Sequence, residues 1–196
     1  MRDVIRFAIV IVLLFMAGVA VGADLKKGLA AYENGDYETA MAECLPLAEE
    51  GIAEAQFCVG QMYANGFGVM MDDAAAIKWY GLAATAGDSK AQYQLGVMHA
   101  NGWGVDMNDA QAAEYYRQAA EKGHSCAQRS LAYVTSRGIG VDENLQDAYM
   151  WYYVSAELGD TASVAGRDEY AGMISEEERL AAEAMARQWL AKFKGG

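Results

Sequence analysis

The sequence has a single proline and only two histidines in 196 residues. With so little proline, helices can run uninterrupted, and a loop-rich fold is disfavoured. His99 and His124 are too few for a histidine-based metal centre or a serine–histidine triad. Positive charge is also scarce. Fifteen Lys and Arg face 27 Asp and Glu, a net charge of −12, which repels phosphate backbones and anionic headgroups and excludes nucleic acid as a natural partner. Three cysteines allow one internal bridge and leave one thiol over. What is abundant is apolar: 54% of the residues, enough for one domain to bury a core without metals or staples.

The first segment stands apart from the fold. Arg2 and Arg6 precede an apolar run from Phe7 to Ala17, followed by small residues up to Val21-Gly22-Ala23. This predicts a secretory signal peptide over 1–23, cleaved after Ala23, and a periplasmic or secreted mature chain. A membrane span is the competing reading, but Phe7 to Ala23 offers 17 uncharged residues where about 20 are needed. Any membrane contact is expected only through this segment if it stays uncleaved. No cysteine follows the run, so a lipid anchor is not expected. Its loss leaves 13 basic and 26 acidic side chains.

The rest of the chain repeats. Gly60-Gln-Met-Tyr-Ala-Asn-Gly66-Phe-Gly68-Val69 returns 36 residues later as Gly96-Val-Met-His-Ala-Asn-Gly102-Trp-Gly104-Val105, and again, degraded, as Arg137-Gly138-Ile139-Gly140-Val141. Ala55, Ala91 and Ala127 keep the same register, as do Ala76, Ala112 and Ala148, and Gly87, Gly123 and Gly159. A fixed period of this length marks a stack of supersecondary units.

Within each unit, helical spacing of small and apolar residues gives a first helix, in the first unit from about Ala53 to Ala64. The Gly-x-Gly-Val loop breaks it, because glycine takes the positive φ that ends a helix. An Asx column, Asp72, Asn108 and Asn144, caps a second helix through Trp79-Tyr80, Tyr115-Tyr116 and Trp151-Tyr152. The predicted architecture is all-α, built of antiparallel helix pairs: a hairpin over 24–51 with a tight Asn34-Gly35 turn, repeats over 52–87, 88–123 and 124–159, and a C-terminal capping helix in 160–196 opened by Ser175-Glu-Glu-Glu178.

These words resemble the Sel-one-like repeat family, relatives of the tetratricopeptide repeats with a longer inter-helix loop. The likeness rests on Ala-x-x-x-x-Gly-x-x-Tyr-x-x-Gly-x-Gly-Val, the Asx start and Trp-Tyr-x-x-Ala-Ala-x-x-Gly. His99 and Thr135 depart from the usual tyrosine and Ala132 from the usual glycine. The resemblance implies a right-handed α-solenoid acting as an adaptor or scaffold in the cell envelope, holding a protein, a peptide or an envelope polymer. The alternatives are a passive spacer and, as a third reading, a β-lactamase-like hydrolase. Such serine chemistry needs Ser-x-x-Lys, and no serine here has that neighbour. No catalytic residue, cofactor or metal is expected.

In tetratricopeptide relatives the exposed side of each first helix lines the groove. Carried over, that side comprises Glu54, Gln61 and Asn65, then Lys90, Val97 and Asn101, then Cys126, Tyr133 and Arg137 as expected partner contacts. A further expectation is a Cys44–Cys58 disulfide. Both cysteines lie seven residues from Gly51, so an antiparallel pair of helices turning there sets them at one height. Free buried thiols and an intermolecular bond through Cys126 are the alternatives.

Overall fold

The structure, a computed structural model, describes residues 25–195; the expected signal segment lies outside them. Every regular element among the described residues is a helix. We number them α1 (25–33), α2 (Tyr37–Glu49), α3 (Ala53–Asn65), α4 (Asp73–Thr85), α5 (Ser89–Asn101), α6 (Asp109–Glu121), α7 (Ser125–Ser136), α8 (Leu145–Glu157), α9 (Thr161–Ala171) and α10 (Glu176–Gly195). The chain divides into two compact units, Met1–Ala86 and Gly87–Gly196.

Local chemistry sets the helix ends. Asp72, Asn108 and Asn144 accept the backbone N–H of Ala75, Gln111 and Asp147 at 2.9–3.0 Å, relieving donors that no intrahelical carbonyl reaches. At the other end of α5, Gly102 takes φ of 69° and hands its N–H to Met98 O. The intervening loop is closed by one repeated bond, Asp72 N–H to Tyr63 O, Asn108 N–H to His99 O and Asn144 N–H to Thr135 O, at 2.9–3.0 Å. The bond uses only backbone, which is why His99 and Thr135 can replace the tyrosine.

In the Met1–Ala86 unit, α2 packs on α3 and α3 on α4. Its core holds Ala40, Cys44, Leu47, Ala55, Val59 and Met62. In the Gly87–Gly196 unit, α5, α6, α7 and α8 pack in succession, and α8 also receives α9 and α10. Glutamine fastens the turns between repeats: Gln56 Nε2 donates to Ala48 O and Gln128 Nε2 to Ala120 O, each at 3.1 Å. The same carbonyls accept the N–H of Gly51 and Gly123.

The C-terminal segment differs from the expectation of one capping helix. Residues 160–196 carry two helices, α9 and α10. Asp160 and Ser163 stand 36 residues after His124 and Ala127, so α9 continues the first-helix register, while the Gly-x-Gly-Val loop is replaced by a short turn at Gly172-Met-Ile-Ser. The capping box does form: Ser175 N–H donates to Glu178 Oε2 at 2.8 Å and Glu178 N–H to Ser175 Oγ at 3.2 Å. Then α10 lays Ala182, Ala186 and Leu190 on the Tyr149, Tyr152 and Val154 core.

Candidate functional site

The Gly87–Gly196 unit contains a cavity of about 580 Å³ walled by α5, α6, α7, α8 and α9. Small side chains leave the room: Ala100, Ala112, Ala162 and Gly166 line it. Gly166 lets α9 come close to Tyr152, where a Cβ would meet the ring at 2.6 Å. Three tyrosines, Tyr116, Tyr133 and Tyr152, give the cavity aromatic walls, and Asp109, Arg129 and Glu169 add charge.

The two tyrosines from second helices are more than nine-tenths buried, Tyr116 at 6% exposure and Tyr152 at 7%. Burial is the first cause pushing both phenols up to about 12, so they remain protonated donors across the physiological range. Tyr152 stacks on Tyr170, ring centroids 5.5 Å apart, and the Tyr170 hydroxyl donates to Ser136 Oγ at 2.8 Å.

Arg129 and Asp160 fix the α7–α9 wall. The guanidinium holds both Asp160 carboxylate oxygens at 2.8 Å. The buried Ser163 and Ser155 hydroxyls complete the cluster, with Ser163 Oγ 2.8 Å from Asp160 Oδ2 and 2.9 Å from Ser155 Oγ. The cluster is an anchor for the wall.

Of the positions expected to meet a partner, Tyr133 lines the cavity, and Arg137 lies 5.0 Å over the Tyr133 ring. Val97 packs against the α6–α7 core. Asn101 turns back to its own helix, donating to Val97 O at 2.7 Å, and Asn65 does the same to Gln61 O at 2.8 Å. Lys90 sits at the exposed start of α5, and Cys126 is a half-buried free thiol at the start of α7. Glu54, Gln61 and Asn65 belong to the Met1–Ala86 unit. Glu54 there adds negative field at the Cys44 and Cys58 thiols.

Tyr116 and Tyr152 recur with Tyr80 at the 36-residue period; that two of the three also line a cavity was not in the pattern. Ala162, Gly166 and Glu169 were missed because α9 carries no repeat word.

Stacked helix pairs, one unit of them enclosing a tyrosine-lined cavity, define a helical repeat protein. The Sel1 repeat pattern matches residues 53–88, 89–124 and 127–160, and the chain belongs to the Sel1 repeat family. It is similar to the crystal structure of a Sel1 repeat protein from Oxalobacter formigenes, with 30% identity and a TM-score of 0.74, over 84% of this chain and 70% of that one. It also shares the fold of a protective antigen present in uropathogenic Escherichia coli strains, at 22% identity and a TM-score of 0.62, over 88% of this chain and 46% of that one. No curated protein matches the sequence. Sel1 repeats generally mediate protein–protein interactions, and the fold is typically a non-catalytic scaffold.

Proposed function

We propose that this protein is an exported adaptor that holds a protein partner in the cavity of its Gly87–Gly196 unit. The observation that carries the reading is that cavity, walled by five helices and rimmed by aromatic and charged side chains. Aromatic and arginine side chains in a partly desolvated recess are what binding surfaces concentrate. Export is supported by Arg2 and Arg6 before the apolar run and by the Val21-Gly22-Ala23 site, and places the adaptor in the envelope or the medium.

Affinity capture from an envelope extract tests it. Ala162 is exposed on the cavity wall, so Ala162→Trp fills the cavity without entering a repeat column. Wild type should retain a defined protein, and Ala162→Trp should lower its recovery about tenfold at an unchanged melting temperature. Equal recovery by the variant would move the binding surface elsewhere. No retained protein would favour a passive spacer.

A further inference from the structure

Two kinds of donor without a protein acceptor lie in and beside the cavity. Tyr116 and Tyr152 line it while more than nine-tenths buried, and neither hydroxyl makes a hydrogen bond with another described residue. Neither hydroxyl is among the fully enclosed polar atoms, so each stays open to solvent and can exchange water for a ligand. The second group is Arg137. The other described arginines, Arg117, Arg129, Arg167, Arg179 and Arg187, each hold a carboxylate within 4.0 Å; Arg137 holds none and rests on the Tyr133 ring. In a chain with 27 acids against 15 bases, an arginine left over in this way is an open place for an anion.

Tyr133 links the two: its ring carries Arg137 and lines the same cavity as Tyr152. The Arg137 charge acts on the Tyr152 phenol, as do the Tyr133 phenol and the Glu169 carboxylate. The repeat equivalents of Arg137, Asn65 and Asn101, close back on their own helices, so only the third repeat presents a cation here.

We propose that this cavity takes a carboxylate-bearing segment of a peptide, with the carboxylate between the Arg137 guanidinium and the Tyr152 hydroxyl. This rests on the cavity being the partner site. Arg137 supplies a planar fork of donors that matches a carboxylate, Tyr152 adds a hydroxyl donor, and the Tyr133 ring holds the guanidinium at the rim. Glu169 opposes a second negative charge, which selects a carboxylate over a phosphate dianion. Tyr116, beside Asp109, is left to bond the peptide main chain. The carboxylate can come from a chain terminus or from an acidic side chain.

Fluorescence anisotropy on the mature full-length protein separates these sources. Three labelled octapeptide pools, randomised over uncharged residues, serve as probes: one with a free C-terminal carboxylate, one amidated, and one amidated with a central glutamate. At least one carboxylate-bearing pool should bind, and the uncharged amidated pool should stay at background. Arg137→Gln should weaken that binding about tenfold and Tyr152→Phe about threefold, while Arg137→Lys should retain part of it. The tighter of the two carboxylate pools identifies the source. The proposal is overturned if the uncharged pool binds as well as the others, if Arg137→Gln changes nothing, or if no pool binds. If the uncharged pool binds and Ala162→Trp abolishes that binding, the cavity remains a peptide site and only the carboxylate assignment falls.

Discussion

His124 caps α7 with an acceptor that exists only while its ring is neutral: Nδ1 receives the Ala127 N–H at 3.2 Å. The ring stacks on Tyr93 at 4.8 Å. Burial is the main cause holding the His124 pKa below 6.5; Asp88 opposes the shift and Lys90 adds to it. The unfolded chain therefore takes the proton more readily than the folded one. The stability contribution is whole above about pH 6.5 and is lost as pH falls through the lowered folded value. His99, also lowered by burial, acts in the same direction. His124→Asp places at this cap the residue that already caps α5 and α9. Denaturant melts between pH 7 and pH 5 should show wild type losing stability and His124→Asp losing less, by about 1 kcal/mol at the acid end. Parallel pH profiles would refute the capping account. The second residue-scale expectation is the Cys44–Cys58 bridge. The two thiols are buried and free in the structure, and interaction with the Cys44 thiol, ahead of burial, pushes the Cys58 thiol up. In an oxidising compartment an external thiol oxidant should take two electrons and two protons from the pair, stabilising the fold by about 3 kcal/mol for so short a loop. Peptide mapping without reduction should give one linked peptide; two separately alkylated peptides would show the pair stays reduced.

Two of the repeat helix pairs depend on a glycine that meets a ring. A Cβ on Gly96 would sit 2.6 Å from Tyr116 ring atoms and 3.2 Å from Ala112 O, and one on Gly60 would sit 2.7 Å from the Tyr80 ring. Gly96→Ala sets two effects against each other. A helix interior gains up to about 1 kcal/mol when glycine becomes alanine, whereas forcing a methyl into a packed core costs about 1–3 kcal/mol. Tyr116 is buried among α6 and α7 residues, and the Ala112 oxygen belongs to the α6 backbone and cannot yield alone, so the cost wins and unfolding should move to lower denaturant. Gly81, inside α4 with nothing within 4 Å of its added Cβ, is the contrasting case. Gly81→Ala should stabilise by about 0.5–1 kcal/mol. If both substitutions shift the midpoint in the same direction, the Gly96–Tyr116 contact does not govern the packing of α5 on α6.

For the whole molecule, charge and export make one prediction: the exported protein should begin near Asp24, read by N-terminal sequencing, with net charge more negative than the full chain. Intact Met1 in a soluble cytoplasmic fraction would end that proposal. Much of the fold was legible in the sequence because its determinants are local and repeated. Helical spacing, glycine at positive φ and an Asx side chain reaching three residues ahead act within a few residues, and the 36-residue period displays each of them more than once. The pairing of α9 with this framework was not legible, since its loop word is gone and only Asp160 and Ser163 keep the register. Nor was the cavity. Tyr133 and Arg137 were readable as an exposed helix side, but a recess walled by five helices, a Tyr152 hydroxyl without a partner and an arginine without a carboxylate depend on contacts between residues tens of positions apart. Those contacts are set by how closely neighbouring helices approach and by which rotamers survive the packing, and periodicity alone encodes neither. The sequence by itself determined the helices, their ends and the repeat; tertiary packing alone decided which side chains line a cavity and which are left without a protein partner.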